Sequence, residues 1–140
     1  MDPYTLKASE GWTYRDKVVF TVKAGELHPG RGATFVEYTT VKGEEPPEHT
    51  HATEDEMFYV LEGELTVRCR DESFDVGEGS FVFLPKGIEH GYTIRSEGPA
   101  RLLVVTYPPS VTPGRGWGGF IASVETQGKL LSEPDDKIRS

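Results

Sequence analysis

Hydrophobic and polar positions alternate in short runs through the centre of this chain, which is the pattern of β-strands that bury one face. The runs are rich in β-branched and aromatic side chains, and glycine or proline bounds them. They predict eight strands: Val18–Val22, Thr34–Val41, Glu56–Leu61, Glu64–Arg70, Ser73–Val76, Ser80–Leu84, Gly91–Arg95 and Arg101–Tyr107. Short strands at this regular spacing favour an all-β sandwich or barrel over alternating strands and helices.

The two ends of the chain lack this alternation. Residues 1–16 are largely polar, include Trp12 and Tyr14, and show no clear period, so we expect a packing arm before a barrel core at about 17–107. Residues 108–119 contain many prolines and glycines and are expected to be neither strand nor helix. Such a stretch fits a linker, or a lid that closes over the mouth of the barrel.

The segment that follows, within the C-terminal region 108–140, predicts one short helix and a tail. Phe120, Ile121 and Val124 share one helical face, so a helix is expected before Gly128. Residues 132–140 are polar and are expected to fray. No internal repeat is visible, so the chain 1–140 is predicted to form a single all-β domain with a short C-terminal helix.

The composition fits one globular domain and argues against some partners. The chain has 140 residues, of which 36% are hydrophobic, enough to bury a core. Fifteen Lys and Arg against 23 Asp and Glu give a net charge of −8, which would repel nucleic acid. No apolar run follows Met1, and no stretch approaches the roughly 20 apolar residues that span a membrane. We therefore expect no membrane partner and a soluble, cytoplasmic protein.

Cys69 is the only cysteine of the chain. It has no partner for an internal disulfide, and nothing indicates an oxidising compartment. Strand alternation places the flanking Arg68 and Arg70 on the opposite face, so Cys69 is predicted to be a buried packing thiol.

A group of metal-ligand side chains stands between Gly43 and Gly63, where the chain reads Gly-x5-His49-x-His51-x4-Glu56-x6-Gly. Side chains at i and i+2 of an extended segment point to the same face, so His49 and His51 can reach one ion. Glu56 adds a carboxylate. Taken alone, the two histidines also fit a solvated loop, because an acidic, proline-containing segment precedes them.

A second spaced motif supplies a third histidine. Between Gly79 and His90 the chain reads Gly-x5-Pro-x-Gly-x2-His, so a turn would deliver His90 at the start of a strand. Three imidazoles and one carboxylate suit iron, zinc, copper, nickel or manganese and leave positions open for water, oxygen or substrate. Two spaced motifs together favour a metal site over a solvated loop. His28, in a Leu-His-Pro-Gly turn, belongs to neither motif and is expected on the surface.

These residues resemble the two motifs of the cupin family, and the resemblance covers roughly Ala33 to Tyr107. It implies a small antiparallel barrel of the jelly-roll (double-stranded β-helix) type, with one divalent transition metal ion (Fe, Mn, Ni, Zn or Cu) as cofactor. The implied ligands are His49, His51, Glu56 and His90. The second motif of the family usually ends with an asparagine four residues after its histidine, and here that position is Ile94.

Strand alternation then predicts the lining of the cavity around the metal. If Glu56 and His90 point inward, the side chains that share their faces are Phe58, Val60, Tyr92 and Ile94. This lining is apolar and aromatic with few polar groups, as in sites for small organic molecules. Small barrels also fill much of their interior with such side chains, so a purely structural role is the alternative.

The same alternation turns Met57, Tyr59 and Leu61 outward, into a second layer or a subunit interface. An apolar strip on one side of the barrel predicts a homodimer. The N-terminal arm with Trp12 is a candidate for crossing between the two subunits.

The segments 54–63 and 81–90 look like those of small single-domain cupins that include quercetinase-like dioxygenases. In that chemistry a deprotonated substrate oxygen binds the metal and dioxygen adds across a carbon bond. The resemblance therefore implies an enzyme whose partner is a small enol, phenol or related substrate. Glu56 would combine ligation with proton abstraction, and Tyr92 would donate a proton or anchor the substrate.

Two alternatives remain open at this point. Some polyketide cyclases and sugar isomerases also resemble this pattern and use the ion as a Lewis acid. The other alternative is a module that binds a small ligand without turnover. A regulator of that kind would normally carry a DNA-binding unit, and the chain shows neither a basic patch nor a spare helix pair for one.

Overall fold

All eight predicted strands form in the computed structural model, which describes residues 3–109 and 116–134, and their ends lie within two residues of the predicted ones. Two further strands and one helix complete the described elements. In chain order they are β1 Trp12–Asp16, β2 Val18–Ala24, β3 Thr34–Thr40, β4 Asp55–Glu62, β5 Leu65–Cys69, β6 Glu72–Val76, β7 Phe81–Leu84, β8 His90–Ile94, β9 Ala100–Tyr107, α1 Gly116–Thr126 and β10 Leu130–Ser132. The prediction of an all-β fold with a short C-terminal helix is confirmed.

Two antiparallel sheets enclose the core. One has seven strands in the order β10-β1-β2-β3-β9-β4-β7, and the other has three in the order β6-β5-β8. Because side chains alternate along a strand, each sheet turns one apolar row inward. The core residues between them include Phe20, Val36, Phe58, Val67, Leu84, Ile94, Leu102 and Val104.

The N-terminal arm contributes strand β1 to the large sheet, which the sequence pattern does not predict. β1 pairs with β2 across the turn at Lys17 and with β10 on its other side. Trp12 and Tyr14 occupy inward positions of β1 and are 7% and 0% exposed. Trp12 therefore packs within the core of its own chain, and a crossing of the arm between subunits stays a prediction. Two aromatic positions are too few to show a period, so the sequence pattern did not predict this strand.

His28 lies in the predicted turn, but the expectation of a surface side chain is wrong, since the residue is only 7% exposed. Its N–H donates to the Gly25 carbonyl at 3.0 Å, which closes the turn. The imidazole packs edge-on against Trp12, and its Nε2 lies 3.0 Å from the Tyr14 hydroxyl. Burial lowers the pKa of His28, so a neutral ring fills this position. The unpredicted strand β1 is what covers it.

The predicted C-terminal helix is confirmed as α1, but it begins earlier than its apolar face indicates. It starts at Gly116, inside the segment 108–119 that was expected to be neither strand nor helix. Residues 110–115 of that segment lie outside the described residues, so the lid alternative stays a prediction. Ile121 and Val124 are buried, as their shared face predicts.

One aromatic contact group joins α1 to the large sheet. The Trp117 ring lies 5.5 Å from that of Phe20 and 5.3 Å from that of Tyr38, measured between centroids. After the helix, Gly128 takes a positive φ of 69° and the chain turns into β10. This short strand pairs with β1 and was not predicted, because three residues show no period.

The remaining expectations concern the thiol of Cys69 and membrane-spanning segments. Cys69 is a free thiol, and it is partly buried against the core cluster. No helix within residues 3–109 and 116–134 is long and apolar enough to cross a membrane.

An apolar face lies on the outside of the large sheet. Met57 and Tyr59 of β4 pair laterally with Phe83 and Phe81 of β7, so their side chains share this face. The large side chains exposed along β4, β7 and β9 are Tyr59 at 44%, Phe81 at 62%, Phe83 at 50% and Tyr107 at 57%. The predicted outward strip is therefore wider than β4 alone, and a strip of this kind is typical of a protein interaction surface.

We propose that two chains pair through this outer face as a homodimer. Phe81→Lys should convert the dimer to monomer, because the substitution buries a charge without a partner in an apolar interface. Sedimentation velocity at micromolar concentration measures the change. Phe74→Lys is the matched control, since Phe74 is 42% exposed but lies on the small sheet. A wild-type chain that sediments as a monomer would contradict the proposal.

Candidate metal centre

Main-chain pairing brings the two histidine motifs together. The N–H of His49 donates to the carbonyl of His90 and the N–H of His90 to the carbonyl of His49, both at 2.9 Å. Earlier in the same segment, the Glu45 carboxylate accepts from the N–H of Ile94 at 3.0 Å. The proline-containing segment before His49 therefore lies antiparallel along β8.

An ion pair holds this segment against β8. Arg68 of β5 donates from Nε to Glu48 Oε1 at 3.0 Å. The Glu48 carboxylate lies over Gly91, where a Cβ would collide with it. Glycine at this position allows the close approach that sets His49 beside His90.

Two hydrogen bonds tie the turn of the second motif to the first. The N–H of Gly87 donates to the carbonyl of His51 at 2.8 Å, and the N–H of Lys86 donates to Asp55 Oδ1 at 2.9 Å. β8 then begins at His90, so the turn delivers this residue at the start of a strand.

The structure brings the four predicted ligands, His49, His51, Glu56 and His90, to one point. One ligand atom of each lies within 4.8 Å of those of the other three. The Glu56 carboxylate stands between two rings, with Oε1 3.6 Å from His51 Nε2 and Oε2 3.4 Å from His90 Nε2. His51, Glu56 and His90 are buried, whereas His49 is only partly buried.

The hydrogen bonding of the rings fits a metal ion at the centre. His49 Nδ1 lies 2.8 Å from the Pro47 carbonyl, which only accepts, so the ring proton is on Nδ1, and Nε2 faces His51 Nε2 at 3.1 Å. His90 is 2% exposed, yet neither of its ring nitrogens has a hydrogen-bond partner in the described part of the chain. Its Nε2 lies 3.4 Å from Glu56 Oε2, but the two atoms do not form a hydrogen bond. A buried polar atom without a partner is costly, and a bound ion would satisfy Nε2, the nitrogen that faces Glu56.

The neighbours of each ring shift its pKa. Burial lowers the pKa of His49, and the nearby rings of His90 and His51 act in the same direction. Burial also lowers the pKa of His51, but the hydrogen bond with Glu54 and the charge of Glu56 outweigh it and raise the pKa. The cluster is able to bind a metal ion, and its three nitrogens and one carboxylate suit a divalent transition metal.

Of the two adjacent carboxylates at the start of β4, Glu54 and Asp55, only Glu54 lies against the cluster. Glu54 Oε1 lies 3.1 Å from His51 Nδ1, and the residue is 1% exposed. Asp55 instead points away from the rings and accepts the hydrogen bond from the turn at Lys86.

Tyr92 lies near Glu56, together with a tyrosine that the sequence did not single out. The hydroxyl groups of Tyr92 and Tyr38 are hydrogen-bonded to each other. Burial raises the pKa of both phenols, and the charge of Glu56 also acts to raise them, so both stay protonated at neutral pH. Tyr38 is an inward position of the predicted strand Thr34–Val41, but alternation alone does not show which residue across the barrel it meets.

The other predicted lining residues belong to the packed core. The Phe58 ring lies 6.4 Å from that of Tyr92, so it stands next to the tyrosine pair. Val60 and Ile94 are 0% exposed, and a substrate would reach them only if core side chains moved. A role of these three residues in substrate binding stays a prediction.

Residues 36–106 match the cupin domain family, and the match contains all four candidate ligands. It spans half of the chain, and the fold is the antiparallel β-barrel that the resemblance implied. This chain belongs to the cupin family.

The relatives with assigned names differ in their chemistry. Quercetin 2,3-dioxygenase of Bacillus subtilis is 30% identical over 106 residues, which make up 75% of this chain and 31% of that protein. The tetracenomycin polyketide synthase protein TcmJ of Streptomyces glaucescens is 31% identical over 74 residues, 53% of this chain and 50% of that protein. The matched segments thus span half or less of these two relatives.

A solved structure supports the fold. The predicted oxalate decarboxylase of Thermotoga maritima superposes with a TM-score of 0.66 at 19% identity, covering 74% of this chain and 97% of that one. At this identity the likeness concerns the architecture of the barrel and not its activity.

We predict that the purified chain binds one divalent transition metal ion, because four ligand atoms converge. His51→Ala and His49→Ala should each lose most of the ion, since each removes a nitrogen ligand. Elemental analysis after supplementation with iron, manganese, nickel, zinc or copper measures the content. His28→Gln is the control, as His28 stands outside the cluster. Well under half an equivalent in the wild type, or no loss in His49→Ala, would contradict the site.

Proposed function

We propose that this chain is a mononuclear metal-dependent enzyme that acts on a small oxygenated organic substrate, as a quercetinase-like dioxygenase. The observation that carries the proposal is the convergence of three imidazoles and one carboxylate, His49, His51, Glu56 and His90, in the barrel. The similarity to quercetin 2,3-dioxygenase supports the choice of dioxygen chemistry.

A bound divalent ion would act as a Lewis acid that lowers the pKa of a substrate hydroxyl and fixes its oxygen. Glu56 is the residue placed to take the hydroxyl proton, at Oε1 or Oε2, because its carboxylate stands between the His51 and His90 rings. His49 is the ligand that is not buried, so we place the entry for substrate on its side of the cluster.

The tyrosine pair would serve as a hydrogen-bond donor to the substrate. Tyr38 and Tyr92 share one hydrogen bond, in which one hydroxyl donates and the other accepts. One O–H therefore remains to donate to a substrate oxygen. Because burial raises both phenol pKa values, the pair suits donation rather than proton abstraction.

An oxygen-uptake screen tests the reaction type. The metal-loaded chain is mixed with enols and catechols, and dioxygen consumption is compared with substrate loss. A dioxygenase that cleaves a carbon bond places both oxygen atoms in the product, and the substrate supplies all four electrons, so one dioxygen should disappear per substrate without an added reductant. Turnover without oxygen uptake would overturn the dioxygenase proposal while leaving a metal-dependent enzyme.

The similarity to a polyketide synthase protein favours a second candidate, a cyclase or isomerase that uses the same site without redox chemistry. Such an enzyme would convert polyketide-like diketones or sugars at an equal rate with and without oxygen. If neither these compounds nor the enols and catechols are turned over, a module that binds a small ligand becomes the better explanation.

We predict that Glu56→Gln costs far more activity than metal. The amide keeps the size and one oxygen ligand of the carboxylate but does not accept a proton at neutral pH. A drop in kcat on the order of 10² to 10⁴ is expected for the loss of a general base, with most of the ion retained. Steady-state kinetics and elemental analysis are run on the same preparation.

The matched control for this variant is Glu62→Gln, at the other end of β4, where the carboxylate pairs with Arg101 on the surface. It should leave kcat unchanged. Near-normal turnover by metal-loaded Glu56→Gln would show that the proton is taken elsewhere.

A further inference from the structure

Glu54 is a buried carboxylate that is neither a candidate ligand nor part of the proposed chemistry. It is 1% exposed, and its Oε1 lies 3.1 Å from Nδ1 of His51. Its Oε2 has no hydrogen-bond partner among residues 3–109 and 116–134. A buried carboxylate with only one oxygen engaged is costly, so its surroundings must favour a negative charge.

The first residue of α1 lies against Glu54, and its nearest contact is with Oε1, the oxygen that His51 engages. Glu54 Oε1 occupies the place where a Cβ on Gly116 would stand. Gly116 also has a positive φ of 60°, which glycine adopts without strain. The N-terminal end of a helix carries partial positive charge, so the carboxylate stands where an anion is stabilised. The missing Cβ of Gly116, its positive φ and the partial charge of the helix end are all compatible with a carboxylate at this position.

We infer that Glu54 is a positioning residue that links the docking of α1 to the orientation of the ligand His51. Its carboxylate holds the proton of the ring on Nδ1 and so directs Nε2 toward the other ligands, as carboxylates behind metal-bound histidines do. Gly116 keeps the carboxylate in place, because any side chain there would displace it. The inference rests on the proposed metal-dependent function.

The test measures metal affinity and ring tautomer rather than turnover. Co²⁺ is titrated into the full chain, with its absorption bands as a signature of coordination geometry. Nitrogen NMR of the metal-free protein reports whether Nδ1 or Nε2 of His51 carries the proton. We expect Glu54→Ala to weaken Co²⁺ binding 10- to 100-fold. The variant should also let the proton of the His51 ring occupy either nitrogen. Glu54→Gln, whose carbonyl oxygen accepts the same hydrogen bond, should restore most of the affinity.

Asp55→Asn provides the matched control. Asp55 is the adjacent carboxylate and faces the Lys86 turn instead of the rings. Its substitution should change Co²⁺ affinity by less than about twofold. A loss as large as that of Glu54→Ala would mean that negative charge near the site, and not the bond to His51, sets the affinity, and would overturn the inference.

A double-mutant cycle tests the link to α1. Gly116→Ala alone should weaken Co²⁺ binding, although Gly116 contacts no ligand, because the new Cβ displaces the Glu54 carboxylate. In the Glu54→Ala background the same change should cost no further affinity, since the space is then open. The thermal midpoint of each variant is recorded alongside. Wild-type affinity in Gly116→Ala, or a second loss of equal size in the double variant, would overturn the coupling.

These readouts separate the inference from the activity itself. A chain that binds Co²⁺ with the expected pattern but turns over no substrate would overturn the proposed reaction and leave the role of Glu54 intact. A fixed Nδ1 proton on His51 that survives Glu54→Ala would overturn the role of Glu54 and leave the reaction untouched.

Discussion

The whole site depends on one contact, the reciprocal pair of main-chain hydrogen bonds between His49 and His90. The two residues come from distant parts of the chain, one before β4 and the other at the start of β8. Because each residue both donates and accepts, the two backbones are held at a fixed separation and their rings meet at one centre. Next to this pair, the Glu48 carboxylate lies over Gly91 and accepts from Arg68, so the segment before His49 stays close to β8.

A cluster of polar rings inside an apolar barrel is stable only where each group finds a partner. The chain supplies some of these partners from behind the ligands, the Pro47 carbonyl for His49 and the Glu54 carboxylate for His51. These bonds use the ring nitrogens that face away from the centre and leave the Nε2 atoms pointing toward it. The Nε2 atoms of His49 and His51 lie 3.1 Å apart, and that of His90 has no partner in the described part of the chain, so one bound ion would serve all three.

The strands and the candidate ligands were predictable because both depend on local spacing: a period of two indicates a strand whatever its partner, and side chains at i and i+2 share a face. The burial of His28 and the presence of β1 depend instead on contacts between distant residues. Tyr14 of β1 meets Glu125 of α1, 111 positions further along the chain, and no local pattern contains that pairing. The same limit applies to Tyr38, whose inward position was predictable but whose partner Tyr92 was not.

The start of α1 shows how tertiary contacts override local preference. Glycine at the first position has poor helix propensity, and the sequence alone argues against a helix there. The packing of Trp117 on Phe20 and Tyr38 stabilises the helix, and the missing Cβ of Gly116 admits the Glu54 carboxylate. Through Tyr38 and Glu54, α1 contacts two residues that lie next to candidate ligands, Glu56 and His51. The start of α1, which the sequence did not predict, thus lies behind the ligands, because its position depends on tertiary contacts and not on local preference.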